Sequence, residues 1–93
     1  EAFAGGKFRI KKWGKVKIKQ ALKAKQVSEP LIRKALASIS DKDYRKMLEK
    51  VIADKASKTI ASNSFTFKQQ LARYAISRGF EAELVWEVIG EQE

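Results

Sequence analysis

The sequence predicts an all-α chain of about five helices, stacked as repeated units. Three observations carry that reading. Apolar residues recur at spacings of three and four along most of the chain, as in helices with one buried stripe. Helix-starting and helix-ending residues fall at the ends of those stripes. Residues 13–36 (WGKVKIKQALKAKQVSEPLIRKAL) return as residues 68–89 (KQQLARYAISRGFEAELVWEVI) at a constant offset of 53. Ile18 falls on Leu71, Leu22 on Ala75, Val27 on Phe80, Ile32 on Val85 and Leu36 on Ile89. Self-similarity at a fixed period implies units that bury their apolar faces against one another.

Residues 1–14 read as a basic lead-in. Gly5-Gly6 is a break signal. Residues 7–12 interleave cations with Phe8 and Ile10, which fits either a short extended piece or the last turn of a helix that starts earlier. The first predicted helix runs from about Lys15 to Lys25, after the permissive Gly14, with Ile18, Ala21, Leu22 and Lys25 on one face. Lys12, Lys15, Lys19 and Lys23 form an adjacent stripe. Like charges four apart weaken an isolated helix, so packing or a bound anion has to offset them.

Ser28 is the N-cap expected for the second helix, with Pro30 in its first turn and a buried stripe of Leu31, Ile32, Ala35, Leu36 and Ile39. Ser40 caps the third helix, and Asp41 and Asp43 suit the positive end of its dipole. Tyr44, Met47, Leu48, Val51 and Ile52 continue the apolar stripe, and the helix is expected to end near Lys58. These three helices make a first unit, residues 15–58. After a polar connector, Thr66 and Gln69 read as a capping box for a fourth helix, with Phe67, Leu71, Tyr74 and Ala75 inward. Gly79 supplies the positive φ that ends it near Arg78. A fifth helix over residues 82–89 turns Leu84, Val85, Val88 and Ile89 inward. Residues 59–93 are thus a shorter second unit with two helices.

Ninety-three residues make at most one domain with a modest core. No apolar run approaches membrane-span length, and no secretory leader is visible. The chain opens on Glu1 rather than Met, which reads as a piece of something longer, and the lack of Cys is compatible with a cytoplasmic location. With no His and no Cys, the commonest general base and soft metal ligands are absent. Glu83 and Glu87, four apart, lack a second pair of ligands and read as solvated charge, so neither catalysis nor a metal or cofactor is expected.

The positive signal is charge. The net charge is +9, yet residues 1–50 hold 15 Lys/Arg against 5 Asp/Glu, and residues 51–93 hold 5 against 6. Lys7, Arg9, Lys11, Lys12, Lys15, Lys17, Lys19, Lys23 and Lys25 follow one another without an acidic residue. Such asymmetry suits a polyanion or an acidic partner surface. The plain alternative is a solvated face that keeps the chain soluble. Phe8 and Trp13 lie among the cations, where a ring can stack on an unpaired base; Trp13 reads first as core, anchoring the start of the helix after it. Trp86 falls off the inward stripe, and Tyr44 and Tyr74 read as core.

The repeated unit is similar to that of the regulatory protein RecX family. The residues that carry the resemblance are Arg78-Gly79-Phe80 followed by Glu81 to Ile89, and Lys11-Lys12-Trp13-Gly14 before Lys17-Ile18-Lys19-Gln20-Ala21-Leu22. The resemblance implies tandem three-helix repeats in an elongated or curved stack, this chain matching the middle repeat and most of the last. Phe3-Ala4 would then end the preceding repeat. Gln26 stands where the echo has Gly79, so that turn is expected to close differently. The resemblance further implies a modulator, usually an inhibitor, of RecA recombinase that binds the RecA filament on single-stranded DNA and limits recombination, DNA repair and the SOS response. Neither a membrane nor a small-molecule substrate enters that picture. By charge and spacing, contacts are assigned first to Lys12, Lys15, Lys19 and Lys23, then to Lys7, Arg9, Lys11 and Lys17. A sequence-nonspecific nucleic-acid-binding module is the alternative, since lysines offer little base discrimination.

Overall fold

The computed structural model describes residues 2–91. These form six helices and no strand: α1 (Ala2–Arg9), α2 (Lys15–Ala24), α3 (Glu29–Ala37), α4 (Asp41–Ala56), α5 (Ser64–Ser77) and α6 (Ala82–Glu91). Packing runs α1 with α2 and α3, α2 with α3, and separately α4 with α5 and α6, α5 with α6. The body measures 45 × 24 × 21 Å with a radius of gyration of 14.0 Å. A compact chain of this length would have a radius near ~12 Å, so the two helical groups lie end to end in an elongated stack.

The sixth helix is α1. It runs straight through Gly5-Gly6, because Ala4 and Phe8, four apart, give it a short buried stripe. Of the two readings left open for residues 7–12, the helical ending holds, with Ile10 left exposed.

The turn after α2 closes as the turn after α5 does. Gln26 takes φ +62°, and Gly79 takes +101°. Val27 N–H donates to Leu22 C=O (3.1 Å) and Gln26 N–H to Lys23 C=O (2.9 Å); Phe80 N–H donates to Ala75 C=O (3.3 Å) and Gly79 N–H to Ile76 C=O (2.9 Å). Both are Schellman turns at the same register. The expectation of a different closure at Gln26 is therefore corrected: the motif's bonds impose the left-handed backbone on a side chain that resists it. That resistance is worth roughly 1–2 kcal/mol. Gln26→Gly should raise stability by about 0.5–1 kcal/mol after the extra backbone entropy of glycine is subtracted, read as a higher urea midpoint.

Most predicted core residues are buried, among them Ile18, Leu22, Ile32, Leu48, Ile52, Leu71, Phe80, Val85 and Val88. Leu36, Met47, Phe67 and Leu84 are partly buried against that core, and two predicted core residues are exposed. Leu31 is 58% exposed on the outer side of α3, and Tyr44 alone of the two tyrosines is buried, Tyr74 being 36% exposed with the Lys55 ammonium over its ring. Ser40 caps α4 as expected, accepting from Asp43 N–H at 3.1 Å. The cap of α5 is Asn63, whose side-chain oxygen accepts from Thr66 N–H at 2.8 Å, so the helix starts two residues before the expected box. Asn caps as well as Ser and better than Thr, and Thr66 is already in the first turn.

Candidate partner-binding face

The two helical groups meet at the start of α2. Gly14 N–H donates to Arg78 C=O (2.8 Å) and Val16 N–H to Gly79 C=O (2.9 Å). Lys15 N–H donates to the Tyr44 hydroxyl (2.9 Å), which donates to a Glu81 carboxylate oxygen (2.5 Å). The free amides at the start of α2 thus satisfy the free carbonyls at the end of α5, positive dipole end against negative. Burial, aided by the Glu81 carboxylate, pushes the Tyr44 pKa far up, so the hydroxyl stays a donor. These amides are spent on the junction and offer no anion site.

The junction also decides what the cations do. Lys15 lays its ammonium over the Tyr44 ring, 4.7 Å from the centroid. Lys12, in a left-handed bend at φ +58°, reaches Asp54 on α4 at 3.9 Å. Lys19 reaches Glu29 at the start of α3 at 3.9 Å. Three members of the expected stripe therefore have partners within the chain, which offsets the repulsion along α2; Lys23 is exposed. Each of these pairs is partly solvated and worth little individually.

What the structure brings together is a different set. Lys7 stands over the Phe3 ring (5.4 Å) and the Trp13 ring (4.9 Å), Lys17 over Trp13 (4.9 Å), and Lys25 over Phe3 (5.1 Å). Three ammoniums thus share two half-buried rings on the outer side of α1 and α2, with exposed Lys11 nearby in sequence. Lys25 was not among the candidate residues; its place at the end of α2, over an aromatic brought in by α1, depends on a helix that the sequence left undecided. Trp13 packs against the core, and Phe8 is 6% exposed, its ring against Tyr44, so Phe8 has no face to offer a base. Arg9 is exposed at the end of α1.

On the far side, Arg45 of α4 binds Glu49 (3.4 Å), Glu87 (2.8 Å) and Glu91, tying α4 to α6. Its pKa is raised, chiefly by the hydrogen bond to Glu87. Glu87 is therefore a strut rather than the free charge expected. Among the described residues no group of acidic side chains has metal-binding geometry, and no helix is long and apolar enough to cross a membrane.

The family description "RecX, second three-helix domain" matches residues 1–36, and "RecX, third three-helix domain" matches residues 43–89. The chain belongs to the RecX family. The first match takes in α1, α2 and nearly all of α3, and the second runs from within α4 into α6, so each follows one of the two packed groups of helices. The regulatory protein RecX of Halalkalibacterium halodurans is 28% identical over 91 residues, covering 98% of this chain and 34% of that protein. The chain thus spans about a third of the length of that RecX relative. No solved structure gives a significant match. RecX is a family of regulatory proteins, and the all-α repeat architecture expected from the sequence is the family's own.

Proposed function

We propose that this RecX-family chain is the DNA-side part of a regulator of RecA recombinase, and that it binds the RecA filament on single-stranded DNA through the basic faces of α1 and α2. The observation that carries the reading is the run of nine cations from Lys7 to Lys25 with no acidic residue among them, on α1, the bend after it and α2 of an elongated body. Lysines over ring faces are pre-positioned and partly desolvated, which suits contacts to phosphates. A long, narrow shape suits a contact spread along a polymer. Lys7, Lys11, Lys17, Lys23 and Lys25 are the residues proposed to meet phosphate; Lys12, Lys15 and Lys19 act mainly in holding the fold. A regulator of a recombinase works where the DNA is, in the cytoplasm, without catalysis or a cofactor.

The test is binding of the chain to free single-stranded DNA, to RecA alone and to RecA–DNA filaments at two salt concentrations. Tightest binding to the filament is expected, with a salt slope of about −0.7 per phosphate contact for the DNA share. Equal affinity for DNA with and without RecA would instead favour a general nucleic-acid module. Absence of binding to all three would overturn the proposed face.

A further inference from the structure

α1 and α4 meet through the Phe8 and Tyr44 rings, 6.0 Å apart, but their backbones stay apart. They flank an open cleft of about 660 Å³, floored where Phe8, Ile39 and Met47 come together and walled by the turn between α3 and α4. Along its sides stand Arg9 from α1 and Lys46 and Lys50 from α4, the two lysines one helical turn apart. Among the described residues none of these three cations has a carboxylate partner, unlike Lys12, Lys19 and Arg45. Gly5 makes room for the arrangement. A Cβ there would stand 2.8 Å from the Arg9 guanidinium, the end of a flexible side chain, so at Gly5 Arg9 folds back over the helix beside the cleft without having to shift.

We propose that this cleft seats an acidic amphipathic segment of a partner protein, its apolar side chains on Met47 and Ile39 and its carboxylates on Arg9, Lys46 and Lys50. An apolar floor between cationic walls is the complement of a helix that is apolar on one face and acidic beside it. A nucleic-acid strand fits worse. The aromatic ring at the floor, Phe8, is 6% exposed, so it has no open face for stacking. Asp43 also lines the cleft, where a phosphate would be repelled and a neutral peptide residue would not. A second copy of this chain is no better. Its acidic helix, α6, buries Val85, Val88 and Ile89 in its own core, and Arg45 already holds Glu87 and Glu91. The cleft uses other side chains than the Phe3/Trp13 cluster, so it and the DNA contacts proposed above succeed or fail separately.

Met47 is the only methionine in the chain, so a ¹³C-methyl label reports on the cleft floor with a single signal. The probe is a helical peptide with leucines at i and i+4 and glutamates on the flanking positions. Saturable movement of the Met47 methyl signal is expected, weakened roughly tenfold by Arg9→Ala with Lys46→Ala. Both of these side chains are exposed, and an unchanged far-ultraviolet spectrum verifies that the variant folds. The proposal is overturned if the signal stays still at millimolar peptide, or if the peptide with serines for leucines binds equally well. It is also overturned if oligo-dT moves the same signal at lower concentration than the peptide.

Discussion

Gly14→Ala is expected to cost about 3 kcal/mol or more and to lower the melting temperature by roughly 15 °C. A Cβ on Gly14 would stand 2.3 Å from the backbone of Gly79 and Phe80, where no side chain can rotate away. Relief requires the start of α2 to withdraw from the end of α5. That breaks the Gly14–Arg78 and Val16–Gly79 hydrogen bonds and strips Tyr44 of its Lys15 donor. Each buried group left unpaired adds about 1–3 kcal/mol. Glycine here is required by close approach rather than by its own φ, which at −78° any residue adopts. Gly6→Ala and Gly90→Ala are the controls. Both positions are helical with nothing within 4 Å of the added carbon, and each should gain about 0.5–1 kcal/mol. Thermal unfolding of the three variants decides the matter, since equal effects would mean that the junction between the two groups does not hold the fold.

That junction marks where the sequence was legible and where it was not. The register of the repeat was readable because burial enforces it: Ile18 and Leu71, Leu22 and Ala75, and Ile32 and Val85 are pairs of buried residues at the same positions of matching helices. Gly79 was readable because its residue type announces a positive φ. Gln26 was not, because nothing local distinguishes a glutamine that a Schellman turn forces into that region. α1 was obscured by two glycines that count as breakers, although both lie within the helix and the Arg9 guanidinium folds over Gly5. The partners of the cations were also hidden. Arg45 finds Glu87 and Glu91 at separations of 42 and 46 residues, and Lys12 finds Asp54 only after the bend at φ +58°. Periodicity reports which face of a helix is buried; it does not report which charges end up beside each other.

The sharpest consequence concerns which lysines matter for binding. Replacing Lys7, Lys17 and Lys25 together by glutamine should lower the affinity for single-stranded DNA on the order of 100-fold at 0.1 M salt. Three phosphate contacts at about 0.7 in the salt slope each amount to roughly two powers of ten there, and the slope itself should fall by about 2. The cost in stability should be modest, since each exposed cation–π contact contributes about 0.5–1 kcal/mol. Replacing Lys12, Lys15 and Lys19 should give the reverse pattern. Their ammoniums are turned to Asp54, Tyr44 and Glu29, so the salt slope should hardly change while stability falls by about 1–2 kcal/mol. Fluorescence anisotropy across a salt series, paired with urea unfolding of the same samples, separates the two effects. If the second triple flattens the salt slope and the first does not, the stripe read from helical spacing is the binding face, and the ring-bound cluster serves only to pack α1 against α2.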